Sequence, residues 1–451
     1  MAEQQPTRSL GFFAALSTVT GTVIGSGIFF KVPAVTKATG TVSLATFTWL
    51  LAGVITICAG LTAAELAAAY PQTGGLTVYV GKAYGSFWGF LAGWAQSLIY
   101  FPAQWAAAAI AFATQFVGLF GLTSAWLPVV AIAVTLLVLL VNFISAKAGG
   151  MVSSVALVVK LLPIIAIVVL GFVHPGDPEF TLFPVAPGPH QHFWTALGSG
   201  LLATMFAYDG WIHVGTMAGE LKNPQKHLPR AIFLGLGLVT VIYLLISLAF
   251  LYVSPLTVVA NDLNISAKVA HIVFGPLGGK IITIGIMVSV YGALNGFVMT
   301  GIRVPYVMGY LGYLPFSQGF RALNRGGVPW LGGCLQFIVA LLMILSGTFD
   351  TITNMLVVVI WFFYMLCFAA VFILRHRAPE LVRPYRVPAY PLVPIIALAG
   401  GAFIILTTAI TQPVITLIGI LVTMAGIPVY RYQRAQHRIN LNQKEHFSHE
   451  K

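Results

Sequence analysis

Apolar and polar positions along this chain come in blocks. Runs of about twenty apolar residues, the length a helix needs to cross a bilayer, are separated by short polar breaks. Twelve such runs are predicted, near 11–38, 42–69, 85–119, 126–146, 150–173, 194–219, 229–253, 280–309, 330–347, 351–375, 391–411 and 413–432. The third and eighth exceed the needed length and are expected to tilt. Lipid satisfies no backbone hydrogen bonds, so each run is expected to be a helix and the whole an all-α membrane bundle. The polar start Met1–Leu10 and the length of the first run argue against a cleaved signal peptide. The chain thus reads as an N-terminal segment 1–10, one transmembrane domain 11–432 and a polar, basic tail 433–451 expected to be disordered.

Composition agrees: of 451 residues, 58% are hydrophobic and 8% charged, where a soluble domain carries about 25% charged residues. The net charge of +12 suggests nucleic acid until its distribution is considered. With the connections assigned to alternate sides, eighteen of the 23 Lys and Arg residues fall on the side of the N-terminus. Four (Lys31, Lys37, Lys268 and Lys280) fall on the other, and Lys160 stays inside the membrane. The positive-inside rule then places both termini in the cytoplasm of a multi-pass cell-membrane protein and leaves nucleic acid no role. An error of one span would scramble this asymmetry, so it supports the count of twelve.

Three interruptions of the apolar pattern carry the functional signal. Lys160 sits in the middle of the fifth run, within VALVVKLLPII, where a cation is costly and marks a pathway or a partner. Gly25-Ser26-Gly27 breaks the first run, and Phe206-Ala207-Tyr208-Asp209-Gly210 breaks the sixth. Broken helices in corresponding positions of two halves mark the binding site of a secondary transporter. The spacing predicts two inverted repeats of five helices, about 11–173 and 194–375, followed by two extra helices at about 391–432.

At the first break, unwound backbone at Val23, Ile24, Gly25, Ser26 and Gly27 would aim amides at an anion and leave carbonyls for an ammonium group. An α-amino acid carries both. Gly25 and Gly27 also fit a small-residue packing face. At the second break, Phe206 is a gate or ordinary packing, and Ala207 lies between it and the turn. Asp209 either binds a cation or proton or caps the following half-helix. Lys160 either bonds the carbonyls freed by the first break, carries a proton, or snorkels to one face. Tyr243 and Asn295 are cavity residues or interhelical hydrogen-bonders. Glu65 is expected in an inner-face ion pair or helix-end contact.

Other chemistry is poorly served. There is no G-x-x-x-x-G-K-[ST] loop, so ATP does not act directly, and no nucleophile–base pairing stands out, so no enzyme and no cofactor are expected. Cys58, Cys334 and Cys367 lack metal spacing. The outer-loop pair His190 and His192 and the tail pair His446 and His449 suit solvated chain better than zinc. Tyr70–Tyr84 reads as a re-entrant or interfacial segment, the outer loop 174–193 as a cover over helix ends, and Leu263–Phe274 as an amphipathic lid.

Taken in order, Gly25-Ser26-Gly27-Ile28-Phe29, Glu65 with Tyr70-Pro71-Gln72-Thr73-Gly74-Gly75, Phe206-Ala207-Tyr208-Asp209-Gly210-Trp211 and Glu220-x-Lys-Asn-Pro224 resemble the amino acid–polyamine–organocation transporter superfamily. The fit is nearest its bacterial L-type amino acid transporter family, which includes serine/threonine and alanine–serine–cysteine exchangers, and it covers 10–432. The resemblance implies a five-plus-five inverted repeat and sodium-independent antiport of small neutral L-amino acids such as alanine, serine, threonine or cysteine. A proton-coupled amino acid symporter of the same fold is the alternative, and a non-transporting sensor is a third reading. The resemblance also puts the substrate carboxylate on the amides of Ser26 and Gly27, and the amine on carbonyls near Val23, Phe206 and Asp209. Phe206 becomes the gating aromatic and Lys160 the fifth-helix lysine. Animal relatives hold an ancillary glycoprotein through a cysteine after the third span. The loop 118–125 has none here, so no disulfide-linked subunit is expected.

Overall fold

The computed structural model describes residues 11–71, 74–144, 160–177, 180–213 and 221–436. All the regular elements among them are helices. The first apolar run forms three pieces, α1 (Phe12–Val23), α2 (Gly27–Phe30) and α3 (Val32–Thr39), with the axis turning by 57° at Lys31. α4 (Val42–Ala69) begins where the Thr41 hydroxyl accepts the Leu44 N–H at 3.2 Å, satisfying a donor that the first turn leaves free. Next come α5 (Leu76–Tyr84), α6 (Ser86–Ala95), a π-helical turn Gln96–Tyr100 and α7 (Phe101–Phe120). Pro102 has no N–H to offer the carbonyl one turn back, and the helix widens just before it.

α8 (Trp126–Ile144), α9 (Leu161–Gly171), α10 (Phe193–Ala207) and α11 (Pro224–Val253) continue the chain. They are followed by α12 (Leu256–Asn261), α13 (Ile265–Gly301), α14 (Arg303–Tyr310), α15 (Ser317–Arg321), α16 (Trp330–Ser346), α17 (Phe349–Arg377), α18 (Leu392–Thr411) and α19 (Pro413–Met424). Among the described residues, eight helices are long and apolar enough to cross a membrane, or nine if the bent α1–α3 counts as one span. The shorter apolar helices α9, α10 and α16 stand at the predicted fifth, sixth and ninth runs. The fifth and sixth predicted runs lie partly outside the described residues.

Burial separates a centre from a rim. The apolar windows of α4 and α17 are each 67% buried, against 17% for the window in Pro413–Gln436, so the last helix stands at the edge. α1 packs on α11, α4 lies between α11 and α18, and α7 packs on α13 and α8.

Two connecting segments are largely helical. Most of Leu263–Phe274 opens α13, which kinks at Gly275 before Pro276. Ile265, Ser266, Val269 and Ala270 are buried there, and the Ser266 hydroxyl donates to the Phe29 carbonyl at 2.9 Å. Within 70–84, the part from Leu76 is a helix with Tyr79 and Val80 buried. The loop before α10 covers the end of α3, where the Gly188 N–H donates to Thr39 O at 2.9 Å and the Thr41 hydroxyl to Ala186 O at 2.5 Å.

Candidate functional site

α1 ends at Val23, and Ile24 is extended (φ −70°, ψ 101°). Helical bonding resumes only with Phe29 and Phe30, whose N–H groups donate to Ser26 O at 3.2 and 3.1 Å. The amides of the residues just before them are therefore released from the helix ladder. α10 ends at Ala207, and Tyr208, Asp209 and Gly210 form a turn. The two breaks press together. A Cβ on Gly27 would stand 2.4 Å from Ala207 Cα, and one on Gly210 (φ 112°) would stand 2.9 Å from Thr22 O. Each glycine thus lies against the end of the other helix, where a side chain has no room. Gly25 faces Ala293 of α13, 3.1 Å from a built Cβ.

The carbonyls released by the first break are already engaged. The Lys160 ammonium, at the start of α9, donates to Gly21 O and to Ile24 O, the latter at 2.8 Å. The Tyr243 hydroxyl of α11 lies 2.8 Å from Val23 O and 3.0 Å from Ala207 O. It is shared between the last residues of the two interrupted helices. Both side chains are buried. Each cancels part of the negative end of a helix dipole, the work that a bound cation does in other broken-helix sites.

Asp209 is buried, and its carboxylate collects three side-chain donors. Tyr100 Oη (2.5 Å) and Gln104 Nε2 (2.8 Å) donate to Oδ2, and Tyr364 Oη (2.9 Å) to Oδ1. Tyr100 also lies 3.2 Å from His213 Nε2. Tyr100 ends the π-helical turn, which aims it and Gln104 at the same oxygen. The sequence reading missed this ring. Its signal was polar residues in the third and tenth apolar runs.

Phe206 meets the Phe349 ring edge-on with centroids 5.6 Å apart, and the Lys31 ammonium lies over both rings at 5.7 and 5.1 Å. Lys31 is fully buried at the bend of the first span and pairs with Asp350 at 2.6 Å. At the opposite end of α17, Glu65 takes two hydrogen bonds from Arg375 (2.8 and 2.5 Å) and one from the Val387 N–H (2.8 Å), with Arg383 at 3.7 Å. Burial and the nearby Glu65 carboxylate push the Tyr385 phenol up. Asn295 accepts from Asn142 of α8 at 2.7 Å, an interhelical hydrogen bond. No His/Cys/Asp/Glu cluster suited to a metal occurs among the described residues, and His446 and His449 lie outside them.

A broken first span packed at its break against the end of α10, inside a helical bundle, fits a membrane transporter of the broken-helix class. A family model, amino acid permease, matches residues 10–429, and the chain belongs to that family of transporters rather than to any enzyme family. The serine/threonine exchanger SteT of Bacillus subtilis (strain 168) is 40% identical over 94% of this chain and 96% of its own length. The Asc-type amino acid transporter 1 of Mus musculus is 29% identical over 94% of this chain and 80% of its own. The human cystine/glutamate transporter is 27% identical over 94% and 85%.

Proposed function

We propose that this protein is a sodium-independent exchanger of small neutral L-amino acids, working by alternating access across the cell membrane. Twelve spans, two inverted five-helix repeats and cytoplasmic termini complete the reading. The similarity to a serine/threonine exchanger along nearly the whole of both chains supports the substrate class. The substrate carboxylate docks on the released amides around Ser26 and Gly27, and its amine on carbonyls at the ends of α1 and α10. Phe206 closes over it. Neutral amino acids serve as substrates, with no nucleic acid and no disulfide-linked subunit as partner.

The observation that carries the sodium-independent part is Lys160 on the carbonyls of Gly21 and Ile24. A fixed ammonium there supplies the positive charge that a coupling ion would otherwise bring. A cation bound covalently to the chain cannot be carried across, so no sodium gradient is consumed. The test is uptake of labelled serine, threonine, alanine and cysteine by proteoliposomes. Uptake is expected only when a substrate is inside, and unchanged when potassium replaces sodium. Concentrative uptake into empty vesicles driven by sodium contradicts the proposal, and the same result with a proton gradient establishes the symporter instead.

A further inference from the structure

At the end of the bundle that carries the charge excess, a cavity of about 730 Å³ opens beside the start of α11, within the roughly 300–1,000 Å³ range of small-molecule sites. Its polar wall is cationic: Lys226 and Arg230 come from α11, and Arg386 from the connection between α17 and α18. His227 adds a buried Nδ1 with no hydrogen-bond partner. Among the described residues no acid lines the cavity, and the ion pairs there use Lys31, Lys268, Arg375 and Arg383, none of these three. The start of α11 adds the positive end of a helix dipole.

The site is also amphiphilic in a particular direction. Lys226 and Arg230 are one helical turn apart, and Phe233 and Leu234 follow on the same face one turn deeper, still lining the cavity. Exposed Leu238, Val241 and Leu245 continue that stripe further along the outside of α11. A cationic mouth leading onto a continuous outward apolar stripe matches a phosphate headgroup with an acyl chain attached.

We propose that this cavity binds an anionic phospholipid, its phosphodiester held by Lys226, Arg230 and Arg386 and its acyl chain lying along the outer stripe of α11. A soluble phosphate would use the mouth and leave the stripe bare. A zwitterionic headgroup would bring a second cation among cations. The proposal rests on the membrane reading and is independent of which amino acid is carried.

The test uses delipidated full-length protein in mild detergent, titrated with radiolabelled phosphatidylglycerol or phosphatidylcholine. Phosphatidylglycerol is expected to bind far more tightly. Each cation near a membrane surface changes such affinity by about fivefold. Lys226→Gln, Arg230→Gln and Arg386→Gln together should therefore lower it by roughly a hundredfold, bringing it near that of phosphatidylcholine. A control removes the same charge from the same end of the bundle at exposed residues outside the cavity, Lys82→Gln, Arg377→Gln and Arg431→Gln, and should bind like wild type. Monodisperse elution of both variants shows that they fold. Equal loss in the control would reveal diffuse surface charge, and a full preference kept by the cavity variant would empty the site. Displacement of the lipid by equimolar glycerol 3-phosphate would make the cavity a soluble-phosphate site; any of these three results overturns the proposal.

Discussion

Lys160, Tyr243 and Gly27 each serve the first break in a different way. Lys160 neutralises it, Tyr243 ties it to the second break, and Gly27 allows the two to touch. Removing the ammonium leaves the carbonyls of Gly21 and Ile24 in a buried place with no charged partner, at a cost of about 1–3 kcal/mol. Lys160→Ala should therefore slow exchange while substrate still binds, because the change falls on how the broken helix moves between states. Comparing substrate-induced thermal stabilisation with exchange rate separates the two effects, and intact exchange kinetics in Lys160→Ala would remove its structural role. Gly27→Val should abolish transport in protein that still reaches the membrane. Its Cβ alone would lie 2.4 Å from the Ala207 backbone, which cannot give way as a flexible side chain would. Wild-type uptake by well-inserted Gly27→Val protein would move the site elsewhere.

Whole elements are coupled through α17, which carries a charged contact at each end. Asp350 in its first turn holds Lys31 at the bend of the first span, and Arg375 in its last turn holds Glu65 of α4. Lys31 is fully buried while Asp350 is 43% exposed, so breaking the pair strands the cation rather than the acid. Asp350→Asn is expected to cost on the order of 2–3 kcal/mol, below the usual figure for a fully buried pair because the acid is partly solvated. The same change should free the Phe206–Phe349 contact beneath it. Thermal unfolding in detergent checks the first effect. Faster labelling of a cysteine placed at the buried Thr353, one turn further along α17, with Asp350→Asn than without it, checks the second; equal labelling would show that this pair does not hold that end shut.

For the molecule as a whole, the distribution of charge along the chain predicts an orientation. Eighteen of the 23 Lys and Arg residues are expected on one side of the membrane, counted with both termini. A membrane-impermeant thiol reagent should therefore label a cysteine introduced at Lys268 in intact cells and spare one introduced at Lys82, both of which are exposed. The reverse pattern would invert the topology and with it the assignment of Lys31–Asp350 to the outer end. The proposed exchange without sodium belongs to this scale too, since it would depend on both halves moving about a charge that stays with the protein.

Several features were legible from residues taken one run at a time. Span lengths follow from the thickness of lipid, the break at Gly25-Ser26-Gly27 from weak helix propensity, and the cost of Lys160 from its depth. These are properties of a residue and its near neighbours. The expected inner-face contact of Glu65 was also legible, because an acid at a helix end among basic loops has few other uses. Its particular partners were not, and neither was what covers the apolar face of Leu263–Phe274, because an amphipathic pattern does not name its partner. The donors to Asp209 went unseen for a similar reason, since Tyr100, Gln104 and Tyr364 look like ordinary polar residues inside apolar runs. The sequence by itself determined the helical membrane class and the place where the first helix breaks. Only the tertiary structure decided which side chain meets which broken end. Lys160 reaches a carbonyl 139 positions away, and Tyr243 sits between Val23 and Ala207. Hydropathy says that such residues must turn inward, but the partner is chosen by the packing of helices distant in sequence.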